Sequence, residues 1–117
     1  MITTTRLFEQ SDRYQFDFKI CTYAKGWAQL DTSQDASYFG TWINPAERKI
    51  ANYCEGDVTI QTAETDAELA QLVSEIKEWN DKQGHRFIGI DPGYGEDMQC
   101  RLVAAGLGGY LSGAVCA

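Results

Sequence analysis

Thr65-Asp66-Ala67-Glu68-Leu69-Ala70-Gln71-Leu72-Val73-Ser74-Glu75-Ile76-Lys77-Glu78-Trp79-Asn80-Asp81-Lys82-Gln83-Gly84 is the stretch on which the fold turns. Leu69, Leu72, Val73, Ile76, Trp79 and Asn80 recur at spacings that put them on one face of a helix. Thr65 and Glu68 have the form of a capping box: the hydroxyl accepts from one free N–H of the first turn, the carboxylate from another. Asp66 and Glu68 suit the positive end of the helix dipole, and Lys82 suits the negative end. Gly84 supplies the stop, because glycine enters the left-handed region without a Cβ clash. The sequence therefore predicts one main helix over about 65–83, with a single apolar stripe that needs a sheet to cover it.

Upstream of this helix the pattern alternates. Residues 14–22 read as a half-buried strand with Phe16, Phe18 and Ile20 inward. Lys25-Gly26 reads as a turn and residues 27–31 as the hairpin partner of that strand. A polar loop over 33–37 leads to a third strand over 38–43. Asn44-Pro45-Ala46-Glu47 is a turn, since Asn favours turn entry and Pro fixes φ. A fourth strand runs over 48–54, Gly56-Asp57 turns the chain, and 58–62 is the fifth. Downstream, residues 86–91 form a strand and 92–95 a loop. Residues 96–105 read as a short helix, with Met98, Leu102 and Ala105 inward and Gly106 as its stop. Residues 112–117 carry little packing signal and are expected to fray. The expected fold is a single α+β domain: a largely antiparallel sheet of about five strands packed against the main helix, plus a short C-terminal helix. Leu69, Leu72, Val73, Ile76 and Trp79 are expected to face Phe16, Phe18, Ile20 and Leu30.

The bulk numbers limit function. The chain has 117 residues, the size of one domain, and its 44% apolar content is that of a globular protein. The net charge is −7 and no run of Lys or Arg occurs. Phosphate backbones and anionic membranes need clustered cations, so direct binding to either is not expected. An acidic surface leaves room for a basic protein partner. The first residues lack the basic and apolar regions of a signal peptide, and no stretch approaches the roughly 20 apolar residues of a membrane span. Cys21, Cys54, Cys100 and Cys116 form no C-x-x-C motif. Free thiols and a cytoplasmic location are the expectation.

Three places invite a chemical reading. Cys54-Glu55-Gly56-Asp57 sets a thiol among carboxylates, which disfavour the thiolate a nucleophile needs; a strand-end turn is the simpler reading. His85, Asp91 and Glu96 are the best enzymatic candidates, as a weak hydrolytic site at a strand that ends in Asp and enters a glycine loop. Acids around this loop lack calcium-loop spacing and simply start the next helix; no metal and no cofactor are expected. Gly106-Leu107-Gly108-Gly109 follows a helix and opens none, so it reads as a cap and a tight return, not a phosphate loop. With no motif surviving its context, the balance leans against an enzyme. The aromatics stand out more. Trp27, Tyr38, Trp42 and Tyr53 fit the sheet face opposite Phe16, Phe18, Ile20, Ala28 and Leu30. One helix cannot cover both faces, so the second is expected to lie under loops, to pair in a homodimer, or to bind a small ligand in an aromatic pocket.

Tyr38-Phe39-Gly40-Thr41-Trp42-Ile43-Asn44-Pro45, Tyr53-Cys54-Glu55-Gly56-Asp57, Trp79-Asn80, Ile88-Gly89-Ile90-Asp91 and Ala105-Gly106-Leu107-Gly108, taken as a set, resemble small proteins of bacterial plasmids and other mobile elements. The resemblance runs from about residue 25 to residue 111. It implies a bacterial, accessory, cytoplasmic protein and carries over no activity, cofactor or catalytic residue. From the residues themselves the expected function is a protein-interaction module, an accessory inhibitor or adaptor. Glu68, Glu75 and Glu78 line one flank of the main helix with Trp79 at its border, an arrangement that steers a basic partner and then holds it by ring contact.

Overall fold

A computed structural model describes residues 2–7, 26–32, 39–54, 57–91 and 96–111. Within them lie six strands: β1 (Thr3–Leu7), β2 (Ala28–Thr32), β3 (Phe39–Asn44), β4 (Lys49–Cys54), β5 (Asp57–Thr62) and β6 (Phe87–Asp91). Helix α1 (Asp66–Lys82) separates β5 from β6, and helix α2 (Glu96–Ala104) follows β6, ending near a 3-10 turn at Gly108–Tyr110. The strands form one sheet in the order β1-β5-β4-β3-β2-β6, and every neighbouring pair is antiparallel. The fold is α+β, an antiparallel sheet with one main and one short helix.

The strand expected over 14–22, with Phe16, Phe18 and Ile20, lies outside the described residues, as do the 33–37 loop, the 92–95 loop and the 112–117 tail. β2 was expected as one arm of a hairpin. It is instead an interior strand, with β3 on one edge and β6 on the other. β1, a threonine-rich strand on β5, has no counterpart in the sequence reading. Its β-branched residues favour extended backbone, but without apolar alternation they give no strand signal.

The crossover explains the architecture. Four antiparallel steps separate β5 from β6, so the two run in the same direction and need a helical connection across the sheet. Seventeen residues of helix reach about 26 Å, and the strands between lie about 4.8 Å apart, so α1 spans the distance with residues to spare. Cross-strand partners Ala28 and Ile43, Ile43 and Ile50, and Leu30 and Ile90 point to the same face. All are buried there with Leu69, Leu72 and Val73 of α1 and Met98, Leu102, Ala105 and Leu107 of the C-terminal segment. Each fully buried aliphatic side chain contributes about 1.5–3 kcal/mol. Ile76 is half-buried against this core. Trp79 departs from expectation: it is 53% exposed and does not face the sheet. It sits at the edge of the stripe in the last full turn, where the wheel already carries the side chain outward. Asn80 takes the inward place, 4% exposed, with Nδ2 donating to the Ile76 carbonyl at 2.9 Å and Oδ1 buried without a partner among the described residues.

Both ends of α1 follow the sequence closely. The Thr65 hydroxyl accepts from the Glu68 N–H at 3.2 Å. Glu68 Oε1 in turn accepts from the Glu64 N–H at 3.2 Å, one residue before the cap itself. At the far end Gly84 N–H donates to Asp81 O and His85 N–H to Asn80 O, with Gly84 at φ 79. α2 stops the same way: Gly106 N–H donates to Val103 O and Leu107 N–H to Leu102 O, with Gly106 at φ 83. These are paired Schellman closures, each built on a left-handed glycine. The β3–β4 turn is locked by Asn44, whose Oδ1 accepts from Glu47 N–H at 3.0 Å. Arg48, in that turn at φ 55, reaches Asp66 at 2.8 Å and ties the hairpin to the first turn of α1.

Cys100, on the outer side of α2, is disulfide-bonded. The expectation of free thiols fails there, and the cysteines no longer argue for a reducing compartment. Among the described residues no helix is long and apolar enough to cross a membrane.

Two substitutions test this packing. Leu72→Asp places an unpaired charge at a site 3% exposed and should abolish cooperative unfolding or cost at least about 4 kcal/mol in urea titration. A Cβ on Gly106 meets nothing within 4 Å, so Gly106→Ala isolates the backbone strain. It should lower stability by about 1–2 kcal/mol without exposing the core to dye.

Candidate functional site

The last turns of α1 carry the most unusual surface among the described residues. Glu75 lies one turn before Trp79 on the adjoining row, Glu78 lies farther round the helix beyond it, and all three are exposed. Among the described residues Trp79 and Val103 are the exposed large hydrophobic side chains. The Trp79 ring stacks on His85, with centroids 6.5 Å apart and planes 29° from parallel. The stack follows from the helix stop. A Schellman closure returns the second residue after the C-cap to the helix's last turns, where it commonly packs on a side chain there. Here those residues are His85 and Trp79. His85 is therefore built into the cap, half-buried, and supports one face of the indole.

The acids of the flank are not equivalent. The Glu68 carboxyl is held below its ordinary range, chiefly by a hydrogen bond from the chain's amino terminus, which outweighs an opposing desolvation effect with help from the Glu64 N–H and the Thr65 hydroxyl. It is committed to the start of the helix, about 16 Å along the axis from Trp79. Glu75 accepts a long bond from Gln71 Nε2 at 3.4 Å and stays exposed. Glu78 is exposed and has no ion pair among the described residues. Lys77 is paired with Asp81 at 3.3 Å around the helix from this flank. Lys82 lies on the flank, C-terminal to the ring. The acidic charge next to Trp79 thus narrows to Glu75, with Glu78 farther round the same flank.

The second sheet face is less open than the sequence implied. Register places Gln29, Trp42 and Ala51 side by side, and Gly40 beside Tyr53, on the face away from α1. Tyr38 and the side chain of Tyr53 lie outside the described residues. Trp27 is only 7% exposed and Ala51 is fully buried within the single chain. Trp42 is half-buried and lies across Gly40, whose missing Cβ makes room for the ring. Burial of Trp27 within one chain removes the need for a second subunit to cover it.

His85, Asp91 and Glu96 do not gather. β6 alone, Phe87–Asp91, carries Asp91 about 13 Å from its start, while His85 is held back on the cap of α1. Glu96 is exposed in the first turn of α2. Among the described residues no three His, Cys, Asp or Glu side chains cluster as metal ligands do. Glu55 and Gly56 lie outside the described residues, as do the side chains of Cys54 and Asp57. No protein-family model matches the chain, and no curated protein or solved structure matches it. The His85–Trp79 stack escaped the sequence reading. The signal was present in Gly84, since a glycine at that position brings the next residue back over the last turn.

Gly40→Ala should push the Trp42 ring off the sheet, because the added methyl overlaps its six-membered ring. The expected result is a loss of about 1–3 kcal/mol and a red-shifted tryptophan emission. Unchanged emission and stability would mean that the ring does not rest on Gly40.

Proposed function

We propose that the chain is a protein-interaction module that presents Glu75, Glu78 and Trp79 of α1 to a basic protein partner. The observation that carries this is the 53% exposure of Trp79 beside two exposed carboxylates on a rigid, doubly capped helix. Tryptophan is enriched among the residues that carry most of the binding energy at interface centres. The adjacent charge speeds encounter with a cationic surface. The net charge of −7 extends the same field over the rest of the chain. The resemblance to small proteins of mobile elements supports an accessory role, as an inhibitor or adaptor.

The test is affinity capture from a bacterial host lysate at low and raised salt, with the native chain and with Glu75→Gln combined with Glu78→Gln. Glu68 is left intact because its loss would disturb the helix cap. Specific basic partners should be captured by the native chain and fall away as salt screens charges beyond about 8 Å. The double variant should lose them at low salt. Capture that is indifferent to both changes would overturn the proposal.

A further inference from the structure

Resting on that reading, we infer that the partner binds through an arginine, whose guanidinium lies flat on the open face of Trp79 and hydrogen-bonds to the carboxylates beside it. The geometry sets the chemistry. His85 stacks on one face of the indole with planes 29° from parallel, so the ring is held as a platform. Beside that contact Trp79 remains 53% exposed, so ring surface is left for a partner. Glu75 stands one helical turn before Trp79 and Glu78 directly precedes it, both exposed. Residues four apart on a helix have Cβ atoms about 5–6 Å apart, so a group seated on the ring is within reach of the Glu75 carboxylate.

Three kinds of side chain fill such a place differently. An aliphatic group covers the ring but makes nothing of the carboxylates. A lysine ammonium is a compact, strongly hydrated charge and must choose between the ring face and a carboxylate at its edge. A guanidinium is planar and more weakly hydrated. It stacks on the ring while its edge N–H groups point sideways to carboxylate oxygens. Glu78 is without an ion pair among the described residues, and Glu75 holds only the long bond from Gln71. Lys82, beyond Trp79 on the same flank, repels a cation from the C-terminal side and favours approach over Glu75. Lys77 and Asp81 neutralise each other around the helix from the platform.

The experiment uses the full chain and three probes of equal length: hexa-arginine, hexa-lysine and hexa-citrulline peptides. Binding is followed at low salt by the indole N–H resonances, with that of Trp79 assigned from Trp79→Phe. Hexa-arginine should bind roughly threefold or more tightly than hexa-lysine and should shift the Trp79 indole. Trp79→Ala should bring hexa-arginine down to the hexa-lysine level, and Glu75→Gln with Glu78→Gln should weaken both. Hexa-citrulline, planar but neutral, should not bind measurably. Equal binding of the two cationic peptides with an unmoved Trp79 indole would overturn the arginine assignment while leaving an acidic docking flank in place. Failure of both cationic peptides to bind would overturn the docking flank itself. The readout on the native chain is decisive even if Trp79→Ala proves unstable.

Discussion

Everything in this protein depends on one stripe of α1 lying against one layer of the sheet. Leu69, Leu72 and Val73 close over Ile43, Ile50 and Ile90, all between 0% and 3% exposed. The connection from β5 to β6 gives the helix no choice of path, since strands that run the same way at separated positions of a sheet must be joined across its face. The stripe is the reason the crossing is favourable, and the crossing is the reason the outer flank of α1 faces solvent. α2 completes the same layer with Met98 and Leu102, and its stop returns Leu107 to the core.

The caps connect stability to the proposed surface. A left-handed glycine ends each helix, and each closure brings the following residue back to the helix's last turns. After α2 that residue is leucine, and it is buried. After α1 it is histidine, and it stacks on an exposed tryptophan. The same backbone device has an apolar outcome in one place and an aromatic platform in the other. The difference lies in which way each helix end faces. The Leu102–Leu107 closure turns toward the sheet, and the Trp79–His85 closure turns away from it.

Much of this was legible in the residues alone. The main helix, its cap at Thr65 and its stop at Gly84 follow from short-range chemistry, since a hydroxyl, a carboxylate and a missing Cβ act on backbone groups within a few residues. The strands over β3, β4, β5 and β6 and the inward positions of α2 were legible for the same reason. β1 was not, because threonines paired at a sheet edge show no apolar alternation. The partners of β2 were not, because one strand's sequence does not say which of several others takes its two edges.

The site divides along the same line. Sequence identified Glu68, Glu75, Glu78 and Trp79 as one flank, because helical periodicity fixes which residues share a side. It could not separate Glu68, taken up at the helix start, from Glu75 and Glu78, which stay exposed. Nor could it tell that Trp27 is buried while Trp79 is open, since exposure depends on what lies across from a residue in space. His85 and Asp91 are close in sequence and were natural candidates for a shared cleft, but an extended strand between them holds them apart. Local order, caps and helix faces were determined by the sequence itself, through interactions that span a turn or two. Strand neighbours, burial and the pairing of His85 with Trp79 were decided only by the tertiary structure, because each depends on where distant parts of the chain come to rest.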